Sequence, residues 1–207
     1  MPAKKARAAI RQEQIARVAM KLLAVRGWQR VSLAAIAKQV GMVTSAVYRH
    51  FRGKAEALDA VLDLVDQSFQ ANLQAAQEAT RQPVAQLHEV LVRHVAPIVS
   101  GVPVPRIVLS EDAFTGRPHH RKRARGIYRN YLSAIAGIIR AGQGEGGVCD
   151  QWNVGTLSVM WLGLVQSPAI LWLPGHSDFN LEQHCERAWE CFARALQPNC
   201  SRRQSRT

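Results

Sequence analysis

Apolar residues recur along this chain at intervals of three and four rather than two, so an all-α fold is expected, with essentially no sheet. The first amphipathic stretch collects Ile10, Ile15, Val18, Ala19, Leu22, Leu23 and Val25 between basic and amide side chains, and Gly27 supplies its stop. After Val31, Ser32 is placed to cap a short helix through Leu33, Ile36, Ala37 and Val40, which Gly41 ends. A second short helix is predicted over residues 44–51. Past Gly53 a long one starts at Lys54 and runs through Leu58, Val61, Leu62, Val65, Phe69 and Leu73 toward Thr80.

Pro83 suits a first helical turn, and Leu87, Val90, Leu91 and Val95 then share one face until Pro97, Pro103 and Pro105 break the pattern. A helix is predicted over residues 106–114, followed by a basic loop at 117–125. An amphipathic run of Ile127, Tyr131, Ile135, Ile138 and Ile139 then ends in the glycine-rich residues 142–147. Residues 151–175 contain no Lys, Arg, Asp or Glu, a length that raises a membrane span. Asn153, Thr156, Ser158, Gln166, Ser167 and Pro168 dilute the apolarity and no basic anchors flank it, so burial against protein is expected instead. Gly155 and Gly163 fall on roughly one helix face, where a second helix can approach closely. The closing helix, about 181–196, repeats Leu181, Cys185, Ala188, Trp189, Phe192 and Leu196, a stripe suited to a partner subunit. These last two helices are the expected homodimer surface.

Charge narrows the class of partner. Of the 207 residues, with net charge +12, the first 58 hold twelve Lys and Arg against only Glu13 and Glu56, whereas the rest is nearly balanced. Nearly all the excess therefore sits on one module, the footprint that phosphate contacts require, so double-stranded DNA is the expected partner and no membrane is. Residues 1–9 and 201–207 are read as mobile basic tails, with Lys4, Lys5 and Arg7 able to reach along a duplex. No secretory leader opens the sequence, so the cytoplasm is the expected compartment. Cys149, Cys185, Cys191 and Cys200 form no CxxC pair, and a chain with a full core does not need disulfides.

The segment from Leu33 to Phe51 has what a helix-turn-helix needs. Ala37 is small where two helices cross, Gly41 makes the turn, and Ile36, Val40, Met42 and Val47 fill the wedge that fixes the second helix. That helix would enter the major groove with its first residues toward the base edges. The sequence IAKQVGMVTSAVYRHFRGKAEAL resembles the signature of the TetR family of bacterial regulators, in which Ile-Ala, a glycine, Tyr-x-His-Phe and a lysine followed by leucine recur in this order. The resemblance is close over residues 11–62. Beyond them it is architectural, implying a divergent helical domain that dimerises through its last two helices and often encloses a small-molecule pocket. One departure is Val43, where the family commonly has Ser or Thr as a cap; Thr44 is expected to take over the capping.

The resemblance puts Tyr48 and Lys54 on phosphate-contacting positions, with Ser32 a third. A tyrosine hydroxyl at a rigid radius and a lysine at a helix N-terminus suit that role independently. Thr44 and Ser45 are the expected base-edge contacts, with Arg49 beside them, and His50 is expected to pack or touch the backbone. The expected division is therefore residues 1–58 as a reading head, 59–198 as an effector-binding and dimerisation domain, and 199–207 as a tail.

Other chemistries find little support. Glu111 and Asp112 are adjacent and diverge on a helix, no nucleophile elbow, phosphate loop or zinc-protease pattern is present, and His119 and His120 fall in the basic loop, so no enzyme is expected. His184, Cys185 and Cys191 share a helix, but the two thiols diverge, so no metal or cofactor is expected. For a small hydrophobic or aromatic effector the candidate residues are Phe114, Tyr128, Tyr131, Met160, Trp161, Gln166 and Trp172, against a background expectation that most are core.

Overall fold

Every regular element that the computed structural model describes, over residues 2–27, 29–101, 118–172 and 179–198, is a helix. In order these are α1 (Pro2–Arg26), α2 (Leu33–Val40), α3 (Thr44–Tyr48), α4 (Lys54–Ala79), α5 (Pro83–Val99), α6 (Pro118–Gly144), α7 (Val154–Leu171) and α8 (Leu181–Leu196). The expected helix at 106–114, the residue Phe114 and the tail at 199–207 lie outside the described residues. The chain divides into two units, residues 1–68 with 103–127 and residues 69–102 with 128–207; the cuts fall within α4 and α6.

In the first unit α1 packs on α2 and α2 on α3, over a core that includes Ile15, Ala19, Leu23, Ile36, Ala37, Val47, Phe51, Leu58 and Leu62. Two expectations fail here. α1 begins at Pro2, within the stretch read as a tail, because its Ala, Lys and Arg are strong helix formers whatever their exposure. The segment expected to be a basic loop over 117–125 is helical from Pro118 onward, where it opens α6 with its positive charges largely on the exposed side. Two of its members turn inward to an acidic pair on α4. His120 is buried, its Nε2 lying 3.3 Å from Asp59 Oδ1 and 3.3 Å from the Ala55 carbonyl. Arg123 donates to the Asp59 carboxylate at 2.9 Å and also reaches Asp63.

In the second unit α5, α7 and α8 pack on one another. Asn153 and Asn180 cap α7 and α8, accepting the backbone N–H groups of Thr156 at 3.0 Å and Gln183 at 2.8 Å. Pro97 does not break α5, because it falls in the last turn, where Ser100 folds back onto the Ala96 carbonyl through both its N–H and its hydroxyl. The α8 stripe of Leu181, Cys185, Trp189, Phe192 and Leu196 is buried within the chain itself, so it is not left for a partner subunit. The face that does stay open belongs to α7, where Val159, Met160 and Ile170 are about half exposed or more, together with Gly163. α7 has the length and apolarity to cross a membrane, by composition alone. Cys149 is disulfide-bonded, contrary to expectation, and its backbone N–H also donates to the Leu196 carbonyl at 2.8 Å.

Two consequences are measurable. A Cβ at Gly142 on α6 would lie 2.6 Å from Val148 Cγ2 and 3.2 Å from Pro83 Cβ, so Gly142→Ala is expected to cost about 1–3 kcal/mol in denaturant unfolding. An unchanged midpoint would show that this contact yields freely. His94 on α5 is fully enclosed, and burial pushes its pKa from 6.5 down to about 4. Because the folded state resists protonation that the unfolded chain accepts, the stability this group contributes is present above pH 6.5 and is lost as pH falls toward 4, by up to about 3 kcal/mol. Subtracting the stability-against-pH curve of His94→Gln from that of the parent isolates this loss; coincident curves would contradict the burial.

Candidate DNA-binding face and buried polar cluster

The turn between α2 and α3 is built as the sequence requires. Ser32 caps α2, its hydroxyl oxygen accepting the Ala35 N–H at 3.1 Å. Gly41 ends the helix in the left-handed conformation with φ +75°, its N–H donating to the Lys38 carbonyl at 3.3 Å while the Met42 N–H donates to Ala37 at 2.9 Å. α3 then buries Ala46 and Val47, and Phe51 closes the wedge beneath it with no exposed surface. Val43 stands at the cap position without a side-chain hydrogen bond, and Thr44 is already the first helical residue. Thr44 therefore does not take over the capping, since its own backbone is inside the helix, and its hydroxyl is spared for other partners.

With Ala46 and Val47 turned inward, the side chains of Thr44, Ser45, Tyr48 and Arg49 are all exposed, Tyr48 at 54%. His50 is half-buried at the end of this segment. Lys54, also half-buried, opens α4, where the Glu56 carboxylate accepts the Arg52 N–H at 2.6 Å and offsets part of the positive helix end. Ser32 stays exposed despite its capping bond. The structure thus brings Thr44, Ser45, Tyr48 and Arg49 together on one polar side of α3.

The interior of the second unit holds a different assembly. The Phe69 ring stacks on Tyr131 with centroids 4.2 Å apart and lies 5.4 Å from His94 and 5.6 Å, edge-on, from Tyr128. Tyr131 OH lies 3.1 Å from His94 Nδ1. Trp161 donates its indole N–H to the Leu87 carbonyl at 3.1 Å and sits 6.0 Å from the Tyr131 ring. Burial pushes the Tyr128 phenol up to about 12, with Gln166 partly offsetting it, and raises Tyr131 further, with Asn72 as the offset. Three polar atoms here have no hydrogen-bond partner, namely His94 Nε2, Tyr128 OH and Gln166 Nε2. Although Gln166 is near enough to act on Tyr128, the pair misses hydrogen-bond geometry. Each such buried orphan costs about 1–3 kcal/mol.

Of the effector candidates, Tyr128, Tyr131, Trp161 and Gln166 therefore belong to one neighbourhood. Met160 is half-exposed on the open side of α7, and Trp172 is half-buried at its C-cap. His94 and Asn72 went unnoticed in the sequence. His94 had a signal, since it lies seven residues after Leu87 and so on the apolar face of α5, whereas Asn72 had none. The Asp59, Asp63, His120 and Arg123 group was missed too, because no local pattern pairs segments that distant in the chain. Among the described residues no group of three or more metal-binding side chains converges. Cys185 donates to the Leu164 carbonyl at 3.3 Å, with burial and then Glu186 pushing its thiol up to about 11, and Cys191 is exposed.

Comparison with known proteins agrees with the geometry of the first unit. Residues 15–61 match the family model described as bacterial regulatory proteins, tetR family. The nucleoid occlusion factor SlmA of Marinomonas sp. (strain MWYL1) is 25% identical over 131 residues, 63% of this chain and 66% of that protein. The chain thus spans just under two thirds of that relative's length, and the protein of the same name from Haemophilus influenzae (strain PittGG) is matched over 38% of its length. Among solved structures, the ketosteroid transcriptional regulator KstR2 of Mycobacterium tuberculosis superposes with a TM-score of 0.75 at 16% identity, covering 90% of this chain and 95% of that one. AibR in complex with isovaleryl coenzyme A and operator DNA gives 0.73 at 18% identity, covering 91% and 98%. These structural likenesses establish a shared helical fold. The family match falls on the helix-turn-helix whose turn, wedge and exposed polar face are described above, so over residues 15–61 the chain is similar to bacterial regulatory proteins of the tetR family.

Proposed function

We propose that this chain is a sequence-specific DNA-binding transcriptional regulator, a cytoplasmic homodimer that represses until a small-molecule effector releases it from its operator. The carrying observation is α3, whose inner side is locked by Ala46 and Val47 while Thr44, Ser45, Tyr48 and Arg49 face outward from the most basic part of the chain. In this reading residues 1–58 are the reading head and 59–198 the effector and dimerisation domain. Thr44 and Ser45 approach base edges with Arg49 beside them, while Tyr48, Lys54 and Ser32 hold phosphates and His50 packs against the backbone. Two subunits place α3 in successive major grooves of a near-palindromic site. AibR, solved with isovaleryl coenzyme A and operator DNA, supports a fold that accommodates both a ligand and DNA. Because α4 contributes residues to both units, it is the natural element for a ligand to bias.

Dimerisation is argued from α7 rather than from the stripe on α8. Among the described residues nothing covers the apolar face of Val159, Met160 and Ile170 with Gly163 at its middle, where a Cβ at Gly163 meets no atom within 4 Å. Covering it with the same face of a second copy explains why a chain of balanced composition carries a helix with no charged residue.

A second reading comes from the name that the sequence relatives share, nucleoid occlusion factor. On that reading the same head acts at the nucleoid as a whole rather than at a few promoters; mapping occupancy across the genome separates the two.

Binding to the duplex flanking the chain's own gene, with a scrambled duplex as competitor and salt varied, tests the proposal. Specific binding by two subunits is expected; equal binding to both duplexes would count against it at that locus. Lys54→Ala and Tyr48→Phe are expected to weaken all sequences alike, with Lys54→Ala lowering the slope of log K against log salt by about one. An unchanged slope removes Lys54 from the phosphate contacts. Gly163→Leu is expected to weaken self-association about ten-fold or more in sedimentation while the isolated chain unfolds as before; an undisturbed dimer would place the interface elsewhere.

A further inference from the structure

The bonds between α6 and α4 in the first unit orient a charged surface that the proposed function leaves unused. His120 on α6 lies 3.3 Å from both the Ala55 carbonyl and Asp59 of α4, and Arg123, one turn later, donates to Asp59 at 2.9 Å and reaches Asp63. Later residues of α6 thus meet later residues of α4, so here the two helices run side by side in the same direction. α4 opens at Lys54, shortly after α3, and α6 opens at Pro118, just before His120. The first turns of α6 are therefore level with the start of α4, at the end of the unit where Lys54 is read as a phosphate contact. With His120, Ala124 and Ile127 buried and Arg123 committed to α4, the side chains of Arg121, Lys122 and Arg125 are left exposed. None of these three forms an ion pair among the described residues.

The stability of the fold does not account for this arrangement. Arg121 and Arg125 are four residues apart and Lys122 and Arg125 three, so like charges neighbour one another along the helix and repel. They also crowd the positive end of the helix dipole, and α6 has no acidic residue anywhere along its length to offset them. α8 follows the opposite rule, with Glu182 in its first turn and Arg194 in its last. A polyanion laid across the surface relieves both penalties at once. We propose that Arg121, Lys122 and Arg125 form a second phosphate-contacting surface of the reading head, which holds the backbone of the DNA duplex outside the groove that α3 enters. The proposal rests on the reading of the chain as a DNA-binding regulator and adds a contact surface to it. Duplex DNA is the occupant because bonds within the unit hold this surface level with Lys54, so one duplex continues from one contact to the other. No exposed large apolar side chain stands among the three cations, whereas a lipid surface or a protein groove would call for apolar anchors. Because His120 and Arg123 fix the helix from its inner side, the outer cations are presented without a further cost of ordering the backbone.

The full-length parent and two double variants are compared on the duplex that the parent selects from a random pool. Arg121→Gln with Arg125→Gln removes two charges from the surface, and Arg81→Gln with Arg140→Gln removes two exposed charges elsewhere. Each lost phosphate contact lowers the slope of log K against log salt by about 0.9, so the first pair is expected to lower it by about two. Its binding is expected to weaken about ten-fold or more at about 0.15 M salt, while the second pair keeps the parent's slope to within about half a unit. Ethylation interference is expected to reveal phosphates whose modification hinders the parent and not the first pair. The first pair is also expected to unfold at or above the parent's temperature, since it removes like-charge repulsion. The proposal is overturned if the first pair keeps the parent's slope, or if the second pair lowers the slope equally, because total charge and not contact is then at work. A first pair that unfolds earlier than the parent overturns it too, since the charges then serve the fold. Binding to phosphatidylglycerol vesicles that is lost in the first pair, with the DNA slope kept, overturns it in favour of a lipid surface. A parent that selects no duplex contradicts both this surface and the regulator reading, whereas a parent that selects one, with a first pair of unchanged slope, contradicts this surface alone.

Discussion

A five-residue helix does not hold itself together in water, because nucleating a turn costs more than so few hydrogen bonds return. α3 is such a helix, and its cap position is occupied by Val43, which contributes no side-chain bond. Its existence therefore depends on the wedge below it, where Ala46, Val47 and Phe51 are buried against the core that includes Ile36 and Ala37. The left-handed Gly41 sets the angle at which that wedge closes. Everything asked of the first unit follows from this constraint. A helix pinned by one apolar side presents its other side in a fixed orientation, which is what reading a groove demands and what a self-supporting but mobile helix would not provide.

The second unit meets a different requirement. α7 has no charged residue, yet only part of it is core: Leu157, Trp161, Val165 and Ala169 face inward, while Val159, Met160 and Ile170 do not. The two polar residues on its inner side show how selective the interior is. Ser158 satisfies itself by donating to the Val154 carbonyl one turn earlier at 2.7 Å, and so costs little. Gln166 has no such recourse for its Nε2. One helix thus carries an outer face that needs apolar cover and an inner group that needs a polar partner, and the proposals of self-association and ligand binding answer these needs separately.

Most of the first unit was legible because its physics is local. A cap three residues from the N–H it accepts, a glycine where the turn must be left-handed and small residues at a crossing can all be read from neighbouring positions, as Ser32, Gly41 and Ala37 show. Helix starts failed where local composition misled. The basic run at 117–125 looked like solvated loop because its partners, Asp59 and Asp63, lie some sixty residues away in the chain. The stripe on α8 was correctly seen as apolar but assigned to a partner, since periodicity tells that a face is buried and not by what. Similarly, Tyr128, Tyr131, Trp161 and Gln166 could be named as candidates, but only the fold separates them from Met160 on the opposite side of α7. His94, a polar residue in an apolar row, was the signal most worth heeding.

The central claim is that α3 reads sequence, and selection from a pool of random duplexes by the purified protein tests it most directly. The account predicts convergence on a near-palindromic site whose half-sites lie in successive major grooves, with two subunits on each selected duplex and loss of convergence when Thr44 and Ser45 are replaced by alanine. A pool that remains random after repeated rounds, while still binding tightly at low salt, would contradict it, because the basic head would then be holding phosphates without reading bases.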